Sequence, residues 1–289
     1  MGNDISRKRS EAGGKVLYGI ISLFLFLLLF GLTFRSRGAS GEKTQAQIVM
    51  FGDSVYALVR DETAVSARLQ ELTGKTVYNA ALGGTGAARR REDRRLDYAK
   101  GSLSLAGLTK AVWAGDFGVQ RTARVRESNT EYYPEVIDGL AAVDFTQVET
   151  VLMQQGINDY HAGVPIDNQQ DPYSEYTFLG AIRSSVYAMR KVNPDVRIIL
   201  VTPTYAWYVN SGQTGEEADY GGGILTDYVE AELEAARELN VEILDLYHDF
   251  YPHEKWEDWE LYTQDGIHPN QAGREKMAVR LAEAVSGNE

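Results

Sequence analysis

The sequence predicts an α/β domain with a parallel sheet covered by helices, preceded by a single helix of membrane length. Three observations carry this. Apolar, strand-like runs alternate with segments of helical period from residue 47 to the C-terminus, the pattern of a parallel sheet with helices on both faces. The residues best suited to chemistry follow strand candidates, and in open α/β sheets sites lie beyond the carboxyl ends of the strands. Finally, 19 residues near the N-terminus carry no charge.

That apolar stretch, Val16 to Phe34, reads VLYGIISLFLFLLLFGLTF. As a helix it spans about 28 Å, which matches the hydrocarbon core of a bilayer. Arg7, Lys8, Arg9 and Lys15 precede it, and Arg35, Arg37 and Lys43 follow. This excess places residues 1–15 in the cytoplasm. A cleaved signal peptide is the rival reading, with Gly38-Ala39-Ser40 as its processing site, but the apolar core is long and ends in Arg-Ser-Arg. An uncleaved anchor over 16–34 is therefore expected, in a single-pass protein of the cell membrane with its larger part on the extracytoplasmic side. Residues 35–46, small and polar, read as a linker.

The domain then runs from 47 to 289. Gln47–Phe51 reads as a strand and Val55–Leu72 as a helix, with Val65, Leu69 and Leu72 near helical spacing. Val77–Ala80 and Thr150–Gln154 are short strands. Glu175–Val192 is helical, with Phe178, Ile182, Val186 and Met189 on one stripe, and Asn193-Pro194 stops it. Arg197–Thr202 is a buried-type strand ended by Pro203. Tyr228–Leu239 is a Glu-rich helix, Val241–Leu246 a strand and Ala272–Val285 a closing helix.

Composition narrows the function. Hydrophobic residues make up 44% and charged residues 24%, the balance of a folded globular chain. With 29 basic and 41 acidic residues the net charge is −12, which argues against nucleic acid as a partner. The chain has no cysteine, so disulfides, thiolate nucleophiles and Cys-ligated metals are excluded.

Four short segments carry chemistry. Gly52-Asp53-Ser54 follows the first strand, where Ser54 opens a helix with a free backbone N–H. Taken alone, Ser54 reads first as an N-cap. Asn79-Ala80-Ala81-Leu82-Gly83-Gly84-Thr85-Gly86 follows the second strand, and its glycines let a backbone N–H approach a ligand. It lacks the third small residue of a dinucleotide-binding G-x-G-x-x-G/A. Gly156-Ile157-Asn158-Asp159 follows the third strand, and a side-chain amide there can donate to a developing oxyanion. Asp265-Gly-Ile-His268-Pro269 lies near the C-terminus; an Asp three residues from a His can fix the imidazole tautomer and leave the other nitrogen free as a base.

Together, and in this order, these blocks resemble the SGNH (GDSL-type) hydrolase family over about 240 residues. The resemblance implies a flavodoxin-like three-layer α/β/α sandwich and a serine esterase that needs no cofactor and no metal. It makes Ser54 the nucleophile, His268 the base and Asp265 its orienter. The oxyanion hole falls to the Ser54 N–H, the Asn158 amide and the N–H of Gly84, with Gly83 as the alternative. Val55 stands where the family usually has Leu. The interval from Gly84 to Gly156 is longer than the family's usual crossover, so an insertion at about 88–135 is expected to form helices beside the site mouth. The GxSxG signature of the other common serine-esterase fold is absent.

The expected activity is hydrolysis of O-acyl esters, O-acetyl groups on a cell-surface carbohydrate above all. The alternatives are O-acyl transfer to a surface glycan and a non-catalytic carbohydrate-binding module. Tyr205, Trp207, Tyr208 and His161 are the expected substrate contacts, with Tyr220 nearby. The run from Arg89 to Arg95 reads as a solvated helix face or as an anion-contacting rim. Asp167 and Asp171 read as a polar loop, and Glu230, Glu232, Glu234 and Glu238 as an exposed face. His253-Glu254 lacks the second His of a zinc-protease helix. Oligomeric state is left open.

Overall fold

Five parallel strands run side by side in the order β2-β1-β3-β4-β7 in the computed structural model, which describes residues 43–90, 99–123 and 133–287. The expected membrane span lies outside those residues. Among the described residues no helix is long and apolar enough to cross a membrane. The described residues form one compact unit.

In chain order, β1 (Ile48–Phe51) leads to a single turn, α1 (Ser54–Ala57), then α2 (Val65–Thr73) and β2 (Val77–Asn79). The crossover to β3 (Thr150–Gln154) holds α3 (Leu105–Ala114), α4 (Gly118–Arg121) and α5 (Tyr133–Ala142). α6 (Ile157–His161) and α7 (Phe178–Val192) precede β4 (Arg197–Val201). A two-stranded hairpin, β5 (Trp207–Tyr208) and β6 (Gln213–Thr214), then leads to α8 (Leu225–Leu239) and β7 (Glu242–Leu244). α9 (Trp259–Tyr262) and α10 (Gln271–Ser286) close the chain.

β1 is an interior strand, its Ile48 in register with Val77 on one side and Thr150 on the other. All its residues and all of β3 are buried, as expected of strands covered on both faces. Right-handed crossovers in this strand order put α2 and α10 on one face and α3, α7 and α8 on the other. The helix pairings agree: α2 packs on α10, and α7 lies between α3 and α8. The expected flavodoxin-like layering is therefore present.

One expectation needs correction. The helix expected over Val55–Leu72 is broken between α1 and α2, because the Asp61 carboxylate accepts from both the N–H and the hydroxyl of Thr63 and so closes a local turn that competes with the helix. The long interval after Gly84 was expected to add helices beside the site mouth. Residues 91–98 and 124–132 of that interval lie outside the described residues; its helix α3 joins the layer that covers the sheet, with the Thr109 hydroxyl meeting Ser185 of α7 at 3.1 Å, while the N–H groups of Leu105 and Ala106 donate to the Gly86 and Ala87 carbonyls. Ser104 caps α3, accepting from the Gly107 N–H.

Candidate active site

The carboxyl ends of β1, β2 and β3 bring the first three chemical blocks together. Gly52 has no left-handed backbone; its need is space, since a Cβ there would lie 2.6 Å from the Tyr56 ring. The ring of Tyr56 fills the ground beneath the turn, fully buried. Asp53 then caps α1, its Oδ1 accepting from the Val55 N–H at 2.9 Å. Ser54 follows as the first residue of α1.

The fourth block arrives from the far end of the chain. The loop after α9 is clipped to β5: the Trp207 N–H donates to the Gly266 carbonyl at 2.9 Å, and the Gly266 N–H donates to the Thr263 hydroxyl. Gly266 has φ +89°, and a Cβ there would stand 2.1 Å from the Trp207 carbonyl oxygen. Inside this turn Asp265 Oδ1 accepts from the backbone N–H of His268 at 2.8 Å, and Oδ2 meets His268 Nδ1 at 2.7 Å. The opposite ring nitrogen, Nε2, lies 2.9 Å from Ser54 Oγ. Burial pushes the Asp265 carboxyl up, but the His268 ring and the N–H groups of His268 and Ile267 outweigh it and hold the group below its ordinary range.

Asn158 and Asp159 sit on α6, one turn beyond β3. Asn158 Nδ2 donates to the Thr85 carbonyl at 3.1 Å and to Asp53 Oδ2 at 3.3 Å. The Asp159 carboxylate takes the N–H groups of Ala87 and Ala88, both at 2.8 Å. Gly86 is required by this contact, because a Cβ there would stand 2.8 Å from both carboxylate oxygens. Gly84 has φ +72°. Among the described residues the N–H groups of Ser54, Gly83 and Gly84 make no hydrogen bond. Sequence reasoning passed over Asp53 and Asp159; the signal was that both adjoin named site residues. Burial raises each from 3.8 to about 6, against the pull of their N–H donors.

The expected substrate contacts divide. Tyr205 and Trp207 are buried, 3% and 1% exposed, so they pack under the loops rather than face a ligand. Tyr205 stacks on His253 with ring centroids 4.3 Å apart, and Trp207 holds the His268 turn. Tyr208 is half-buried, its hydroxyl 2.8 Å from His161 Nε2. Tyr220 is exposed, edge-on to His161. Burial, then the charge of His268, lowers His161 to about 4, so it is neutral at neutral pH. Glu232, expected on an exposed face, is 1% exposed, and desolvation raises its carboxyl far above the ordinary range. Asp167 forms a two-point ion pair with Arg183, at 2.6 and 3.0 Å. Among the described residues no cluster of three or more His, Asp or Glu is arranged to hold a metal ion.

The profile of the GDSL-like lipase/acylhydrolase family matches residues 50–276. The chain belongs to that family. This acylhydrolase is an enzyme that cleaves ester bonds. Its fold is similar to that of a possible lipase from Chitinophaga pinensis, at 18% identity and TM-score 0.56, covering 84% of this chain and 99% of that one. A Lactobacillus plantarum protein matches at 16% identity and TM-score 0.55, over 84% of this chain and 98% of the other. Est24, a carbohydrate acetylesterase from Sinorhizobium meliloti, matches at 13% identity and TM-score 0.50, over 85% and 100%. No curated protein matches the acylhydrolase.

Two predictions follow from this geometry. Gly266→Ala forces a left-handed backbone and a clash onto the turn that carries His268, so turnover falls at least about tenfold while far-ultraviolet circular dichroism stays native. Full activity in that variant would show that the turn tolerates displacement. The second prediction concerns pH. Because the folded-state value of Asp53 lies above its unfolded value, the folded protein holds an extra proton between about pH 4 and pH 6, and stability from this group is lost as pH rises through that window. Wild type should therefore lose up to about 3 kcal/mol relative to Asp53→Asn between pH 4 and pH 7, read by denaturant unfolding. A pH-independent difference would show that Asp53 titrates normally.

Proposed function

We propose that this protein is an exported, membrane-anchored serine esterase that removes O-acyl groups, O-acetyl foremost, from a cell-surface carbohydrate. The observation that carries the chemistry is the unbroken chain Asp265–His268–Ser54, at 2.7 and 2.9 Å. This is the spacing of a nucleophile, a base and the group that orients the base.

Ser54 Oγ attacks the ester carbonyl as His268 Nε2 takes its proton. Asp265 holds Nδ1 and stabilises the imidazolium. The carbonyl oxygen becomes an oxyanion facing the N–H groups of Ser54 and Gly84 and the Asn158 amide. One amide hydrogen stays on the Thr85 carbonyl; the other leaves its 3.3 Å contact with Asp53 for the oxyanion. The tetrahedral intermediate collapses, His268 returns the proton to the departing alcohol, and an acyl-enzyme remains on Ser54. Water, deprotonated by His268, attacks that acyl group and releases the acid.

Export rests on the Val16–Phe34 stretch. Residues 1–34 hold four basic and two acidic residues, so the remainder carries 25 basic and 39 acidic residues, a charge that keeps the domain off an anionic bilayer surface. A carbohydrate substrate is supported by the exposed ring of Tyr220 beside the half-buried Tyr208, since exposed rings stack on sugars, and it agrees with the activity named for Est24. Tyr205 and Trp207 contribute nothing to that face.

In the test, p-nitrophenyl acetate is hydrolysed by wild type and not by Ser54→Ala. Asn158→Ala should lose about 10²–10³ in kcat with KM nearly unchanged. Wild-type turnover in Asn158→Ala would remove that residue from the oxyanion hole.

A further inference from the structure

His161 links the helix of Asn158 to the hairpin that holds the turn of the base. It lies three residues after Asn158 on α6, and residues three apart on a helix share a face, with Cβ atoms about 5–6 Å apart. Its Nε2 lies 2.8 Å from the Tyr208 hydroxyl. Tyr208 follows Trp207 in β5, and the Trp207 N–H holds the Gly266 carbonyl of the His268 turn. The charge of His268 acts on the His161 ring, so the ring stands within electrostatic reach of the base.

The ring is fixed and has one nitrogen to spare. Tyr160, Tyr208 and Tyr220 flank it, with ring centroids 5.3, 5.5 and 5.4 Å away. Nδ1 makes no hydrogen bond among the described residues, and it is not sealed from solvent. The ring is neutral at neutral pH, so it draws neither a carboxylate nor an ammonium group by charge. A neutral imidazole has one donor nitrogen and one acceptor nitrogen. If Nε2–H donates to the Tyr208 oxygen, Nδ1 accepts; if the Tyr208 O–H donates to Nε2, Nδ1–H donates. A hydroxyl group satisfies either arrangement, because it both donates and accepts.

The base must reach the departing oxygen to return its proton, so the alcohol part of an ester lies on the His268 side of the site. Tyr220, exposed and edge-on to His161, offers a ring to the same part of the substrate.

We propose that His161 is a specificity-determining residue, whose Nδ1 hydrogen-bonds a free hydroxyl beside the esterified oxygen on the alcohol part of the substrate. The substrate class is then a partly acylated sugar, with a free hydroxyl next to its ester, rather than a fully acylated one. This assignment rests on the esterase reading above and narrows it.

The test compares cyclohexyl acetate with trans-2-hydroxycyclohexyl acetate on the full-length protein, since the two esters differ by that hydroxyl alone. Each kcat/KM is divided by the rate of alkaline hydrolysis of the same ester. Wild type should favour the hydroxy ester about three- to tenfold, the effect of one neutral hydrogen bond. His161→Phe keeps a ring, removes both nitrogens and should bring the ratio to about one. His161→Asn, whose amide can stand where Nδ1 stood, should restore part of it. Thermal melts show which variants fold; should the Phe variant not fold, His161→Gln, with a polar end for Tyr208 and nothing at Nδ1, is read in its place. A residue that only braced the loops would lower both esters together and leave the ratio unchanged. A wild-type ratio near unity, or one that survives the loss of Nδ1, overturns the assignment, while hydrolysis of either ester that Ser54→Ala lacks keeps the esterase standing. If neither ester nor p-nitrophenyl acetate shows Ser54-dependent hydrolysis, the esterase reading is refuted and the role of His161 falls with it.

Discussion

The burial of two carboxylates, Asp53 and Asp159, is the constraint on which the site depends. Each is fully enclosed, and each binds a segment that would otherwise be a loose loop at the end of a strand. Asp53 joins the serine turn to the Asn158 amide; Asp159 joins α6 to the stretch after Gly86. An enclosed carboxylate is costly unless its oxygens find donors, so the loops cannot part without leaving an unpaired buried acid. Both acids are pushed up to about 6, which records the cost of placing them there. On the function proposed above, what results is preorganisation: donors held in place before the ester arrives.

The His268 turn is held by different means. It comes from beyond the last strand and has no sheet to register it, so it depends on β5 and on the room beside Gly266. Trp207 matters here through its backbone, which clips the turn, and through its buried ring, which keeps the hairpin in place. A residue that reads as a sugar-stacking aromatic thus serves to position the turn that carries His268. Of the aromatics near this turn Tyr220 is the exposed one, with Tyr208 and His161 half-buried beside it.

Much of this was legible in the sequence. The strands β1, β3 and β4 were plain because fully buried parallel strands read as continuous apolar runs bounded by Gly, Asn or Pro. The first three chemical blocks were plain because each joins a strand end to residues with a narrow chemical use, and the fourth because an Asp and a His stand three residues apart in it. What was not legible depends on distant contacts. Period alone could not show that Asp61 would interrupt the first helix, or that α3 would pack on α7. Glu232 sits in a run of glutamates that looks solvated, and only the packing of α8 encloses it. Tyr205 and Trp207 share composition with exposed binding aromatics, and burial is a property of the tertiary structure.

The most direct test of the account is a crystal structure of wild-type protein inactivated by a p-nitrophenyl phosphonate, whose tetrahedral phosphorus reproduces the charge and shape of the intermediate. Ser54 Oγ should carry the phosphorus, with the phosphoryl oxygen about 2.7–3.1 Å from Asn158 Nδ2 and from the N–H groups of Ser54 and Gly84, and with Asp53 and Asp159 unmoved. A phosphoryl oxygen directed away from Asn158, or an adduct on any other residue, would contradict the arrangement of donors described for this site.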